Sequence, residues 1–91
     1  MYLHLGQSIV AAERDVVGIF DLDNTTSSNI TRKFLSDAEK SGRIINISEE
    51  LPRSFVVCCE EDDNKTRVYL SQLSSQTLMK RCGGIFTGDL Q

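Results

Sequence analysis

Apolar and polar positions along the chain come in short pulses that are mostly strand-like. Leu3 and Leu5 alternate with Tyr2 and His4, Gly6-Gln7-Ser8 interrupts them, and Ile9 to Ala12 resumes; this spacing predicts a hairpin. Glu13-Arg14-Asp15 is a polar loop. Val16 to Phe20 then runs almost without a polar residue, which predicts a third strand in a central position, covered on both faces or by a neighbouring subunit. Gly18 inside that run weakens a strand unless something approaches it closely.

The period then changes. Ile30, Phe34, Leu35 and Ala38 fall on one helical stripe, with Arg32, Lys33, Asp37, Glu39 and Lys40 largely off it. Thr25 to Ser28 supply N-cap candidates, and Gly42 is the expected stop. Ile44 to Ile47 predicts a short strand, and Pro52 marks a loop boundary. Arg53 to Glu60 predicts a strong strand with Phe55, Val57 and Cys59 on one face and Val56 and Cys58 on the other. Glu61 to Lys65 makes a turn, Thr66 to Leu70 returns, and Ser74 or Ser75 caps a second helix through Cys82, ended by Gly83-Gly84. The fold class is therefore α+β: a small, mainly antiparallel sheet of about six short strands with two helices. Residues 1–82 form one domain and 83–91 a C-terminal tail.

Composition narrows the class. The chain has 91 residues, 40% apolar and 25% charged, the profile of an ordinary globular protein with a thin core. No apolar run approaches the ~20 residues of a membrane span, and the N-terminus has no basic region with a cleavage site, so a cytoplasmic location is expected. Net charge is −3 and uneven: residues 30–44 and 64–91 are basic, 1–29 and 45–63 acidic. A nucleic-acid binder of this composition has to segregate its charge. Three cysteines without C-x-x-C spacing and a single His4 read as reduced thiols and a strand residue, so no metal site is assigned.

One motif suggests catalysis. Asp21, Asp23 and Thr25 follow an apolar strand in the D-x-D-x-T order of haloacid-dehalogenase-type phosphatases, whose first aspartate is a nucleophile beside magnesium. That chemistry sits on a central parallel strand of a doubly wound sheet, and 91 residues with two helices cannot build one. Asp23, Asn24 and Thr25 are better read as a helix cap, and the acids of 60–63 as a solvated turn. Neither a Ser/His/Asp order nor a glycine-rich phosphate loop is present. No enzymatic activity and no cofactor are expected.

Four segments carry a resemblance. Met1-Tyr2-Leu3-His4-Leu5-Gly6, Val17-Gly18-Ile19-Phe20-Asp21, Leu51-Pro52-Arg53-Ser54-Phe55-Val56-Val57 and Leu73 to Arg81 together resemble, in order and spacing across residues 1–82, the Rem family of bacterial regulators of extracellular-matrix and biofilm genes, closest to its RemB branch. The resemblance implies a ring-forming homo-oligomer. In the RemA branch the ring binds DNA through arginines on loops, which implies DNA-binding roles for Arg14 and Arg53 here. The sequence departs from that branch at Glu49 and Glu50, acids near positions that are basic there. The expected function is regulation of matrix-gene transcription by a cytoplasmic homo-oligomer, with duplex DNA as ligand. The alternative is an oligomeric module that binds a protein partner, such as a related regulator, without touching DNA.

Overall fold

The computed structural model describes residues 2–22, 29–60 and 65–82. In chain order these form β1 (Tyr2–Gly6), β2 (Ile9–Ala12), a 3-10 turn (Glu13–Asp15), β3 (Val16–Asp21), α1 (Asn29–Lys40), β4 (Ile44–Asn46), β5 (Ser54–Cys59), β6 (Thr66–Ser71) and α2 (Ser75–Arg81). The fold is α+β, with these two α-helices among the described residues. Its strands make two sheets where the sequence pattern implied one. β1 and β2 pair only with each other, and the remaining four lie in the order β3-β5-β6-β4. All pairings are antiparallel except β4 with β6, which run parallel.

The reason for two sheets is visible in the core. Leu3, Leu5 and Ala11 of the hairpin pack face to face onto Ile19, Val56 and Cys58 of the larger sheet, together with Leu78 of α2 and Cys82 just after it. Added edge to edge, the hairpin would have left those side chains in water. The opposite face carries Phe55, Val57 and Val68, covered by Ala38, Phe34 and Leu35 of α1. The larger sheet is thus the middle of three layers, and β5 is its fully enclosed strand. Its Phe55/Val57 and Val56/Cys58 alternation divides between the two cores as the sequence implied.

Buried hydroxyls fasten the layers. Ser71 Oγ donates to the Leu5 carbonyl at 2.7 Å and accepts from the Leu73 amide at 3.0 Å, and Ser54 Oγ donates to the Leu73 carbonyl at 2.7 Å. Each satisfies a polar group that would otherwise be buried without a partner. α1 ends at Gly42, whose φ of +71° closes the helix. The Arg43 amide reaches the Ala38 carbonyl and the Gly42 amide the Glu39 carbonyl, a Schellman pair. Ser74 caps α2 by accepting from the Thr77 amide. The cap candidates of α1 at 25–28, the turn at 61–64 and the segment 83–91 lie outside the described residues.

β3 departs most from expectation. It is an edge strand, hydrogen-bonded to β5 alone among the described strands. A bulge between Val16 and Gly18 displaces Val17, which is 62% exposed, and Phe20 is 41% exposed. A Cβ on Gly18 would sit 2.7 Å from the Phe20 ring, so glycine is what lets that ring fold back along its own strand. Phe20 then stacks on Phe55 with centroids 5.0 Å apart.

Candidate functional site

Both arginines singled out in the sequence lie on connections and reach solvent, but at opposite ends of one ladder. Arg14 is the middle residue of the 3-10 turn, which closes when the Val16 amide donates to the Glu13 carbonyl. Its side chain is 88% exposed, with Nε 3.9 Å from the more buried Asp15 carboxylate. A pair so exposed contributes little to stability. Arg53 is held by its backbone: its amide donates to the Ser71 carbonyl at 2.8 Å, and its carbonyl accepts from the Leu22 amide at 3.1 Å. Those bonds fix its Cα where β3, β5 and β6 converge and leave its side chain exposed.

Register sets the distance between them. Val16 faces Cys58 and Asp21 faces Ser54, so Arg14 precedes one end of the β3–β5 pair and Arg53 the other. At about 3.3 Å per strand residue they stand roughly 20–25 Å apart. One protomer therefore does not gather them into a single contact.

The Arg14 end of the ladder is acidic. Near Arg14 lie Glu13, Asp15 and Glu60, with Glu60 in an ion pair with Arg67. Asp15 and Glu60 also line a small cleft of about 240 Å³ with Cys58 and Tyr69. Burial, then Asp15 and Glu60, push the Cys58 thiol up to about 11 against the opposing pull of Arg67. Burial likewise raises Tyr69 and Cys82. Cys58 and Cys82 are buried thiols and Cys59 is partly exposed. The protonated sulfurs of Cys58 and Cys82 are poor nucleophiles and poor ligands. Among the described residues no three His, Cys, Asp or Glu side chains gather as a metal site, and no helix is long and apolar enough to cross a membrane. His4 is on the outer face of the hairpin, and its carbonyl accepts from Arg81 Nη1 at 3.2 Å.

Asp21 ends an antiparallel edge strand, the wrong setting for the phosphatase nucleophile, which needs a central parallel one. Asp23 and Thr25 of that motif lie outside the described residues.

A second surface was not legible in the sequence. Between β3 and α1 runs a groove of about 310 Å³ lined by Val17, Phe20, Ile30, Phe34, Phe55 and Val57, with Thr31 its single polar residue. Ile30 completes the helical stripe by spacing but is 83% exposed at its rim. Periodicity places Ile30 and Val17 in the core because an apolar position reads the same whether its own chain or another covers it.

These features belong to a small α+β domain with an open sheet edge and arginines on its loops. The family described as RemA-like, extracellular matrix regulatory protein A-like, matches residues 2–82. The chain belongs to that family. It is 36% identical over 89 residues to extracellular matrix regulatory protein B of Bacillus subtilis (strain 168), an alignment that covers 98% of this chain and 99% of the relative.

Proposed function

We propose that this chain is a regulator of extracellular-matrix gene expression, a non-enzymatic protein that works as a ring-like homo-oligomer and meets duplex DNA through repeated copies of Arg14 and Arg53. The observation that carries the regulatory role is its end-to-end similarity to a relative named as an extracellular matrix regulatory protein. Support for DNA as the ligand comes from the exposure of both arginines on connections. Support for assembly comes from the open apolar edge at β3.

Physics explains why assembly and DNA contact go together in this reading. Each protomer holds Arg14 and Arg53 far apart and carries a net charge of −3, too little for affinity on its own. A ring repeats the arginines in one geometry, and effective concentration turns several weak phosphate contacts into a usable one. The acid paired with Arg14, and Glu49 and Glu50 a few residues before Arg53 in the sequence, favour the second reading, a homo-oligomer that binds a protein partner and leaves DNA alone.

Anisotropy titrations of labelled duplex DNA separate the two. The first reading expects binding at low salt whose affinity falls steeply with ionic strength. Arg14→Ala and Arg53→Ala should then show a shallower salt slope, by about 0.9 for each phosphate no longer neutralised. Unchanged slopes in both variants would remove these residues from the interface. An intact oligomer that ignores DNA at low salt supports the protein-partner reading.

A further inference from the structure

The groove at the β3 edge and the loop between β4 and β5 are complementary. Residues 47–53 of that loop present Leu51 to solvent, 87% exposed and preceded by Glu49 and Glu50. A leucine so exposed in an acidic loop buries little of its side chain within its own chain. The groove has the opposite character: no charged residue lines it among the described residues, and the exposed Lys33 follows its lining residue Ile30 by three positions on the same helix. Asp37 stands one turn further along the helix.

The two features cannot meet within one molecule. Leu51 lies over the other flank of α1, beside Leu35, Glu39 and Ile44, while the groove uses the flank that carries Ile30 and Phe34. Resting on the oligomeric reading above, we infer that the groove is filled by the β4–β5 loop of a second copy of this chain, with Leu51 inserted against Val17, Phe20 and Ile30 and the Glu49-Glu50 carboxylates beside Lys33. The uncharged floor excludes a phosphate backbone as occupant. A contact between two unlike surfaces is head to tail, and it either closes into a ring or continues as a filament.

Sedimentation velocity tests this on the full chain, with Leu51→Asp and Val17→Lys as variants; both positions are exposed, so circular dichroism should match the unaltered protein. Each variant alone is expected to fall to the 10.2 kDa of one chain. An equimolar mixture retains one working knob and one working groove, and is expected to yield a dimer and nothing larger. Lys33→Glu is expected to weaken association at low salt, and Glu49→Lys with Glu50→Lys in the same chain to restore it. Full-size assembly by Leu51→Asp overturns the inference and leaves the oligomeric reading standing, as does loss of assembly in Val17→Lys alone, which points to β3 pairing with β3. Monomeric variants of an oligomeric parent that ignores DNA support the interface and remove the DNA reading. A monomeric parent overturns both.

Discussion

β3 and β5 are neighbours of equal length and similar apolar content, yet they have opposite fates. All but the last residue of β5 is buried, between α1 on one face and the hairpin with α2 on the other. β3 buries only Gly18 and Ile19, and turns Val17 and Phe20 toward solvent. The contrast shows two uses of the same residue types. In β5 they hold the fold together; in β3 they form an unfinished surface. The thin core of a 91-residue chain is built around its middle strand, while the edge strand keeps two large apolar side chains in solvent.

Substitutions that sharpen this contrast span a range of effects. The largest is expected at Phe55→Ala, which empties the ring that Phe20 and Phe34 stack against and should cost about 3–5 kcal/mol in urea unfolding. A cost near that of an exposed residue would deny β5 its central role. Next comes Ser71→Ala, which leaves the Leu5 carbonyl and the Leu73 amide without their buried partner and should cost about 1–3 kcal/mol, with early loss of the hairpin's amide protection in hydrogen exchange. Val17→Ser is expected to shift monomer stability by less than about 0.5 kcal/mol, because its side chain makes no enclosed contact, while reducing association in light scattering. A large destabilisation there would mean that β3 belongs to the protomer's core after all.

High pH offers a test of the enclosed region without mutation. Cys58 in the unfolded chain ionises near 9.0 and in the fold near 11. Between those values the folded state binds more protons than the unfolded state, so stability is full below about pH 9 and declines as pH rises toward 11. Tyr69 and Cys82 are raised in the same direction. Thermal melts at pH 8 and pH 10.5 should show this fall, and Cys58→Ala should make it smaller. A pH-independent melt across this window would contradict the burial of Cys58.

What could be read from the sequence follows from which signals are local. The hairpin turn at Gly6-Gln7, the stop at Gly42, the Ser74 cap and the two-faced alternation of β5 are each written in a few adjacent residues, and all appear where those residues put them. The position of β3 is not local. Its apolar run carries the signature of a covered strand, and nothing in it says whether the cover is the same chain. The division into two sheets was hidden for a related reason, since alternation fixes the buried side of a hairpin but not whether it packs across a sheet or extends it. Arg14 and Arg53 were identifiable as loop cations, but their separation depends on the β3–β5 register, which pairs residues some forty positions apart.

The central claim is that this protomer leaves its sheet edge to be finished by identical neighbours. Sedimentation equilibrium of the purified chain at micromolar concentration tests it most directly. The account expects a single species larger than a dimer whose mass is a whole multiple of 10.2 kDa. A stable species of one chain mass across that range would contradict it.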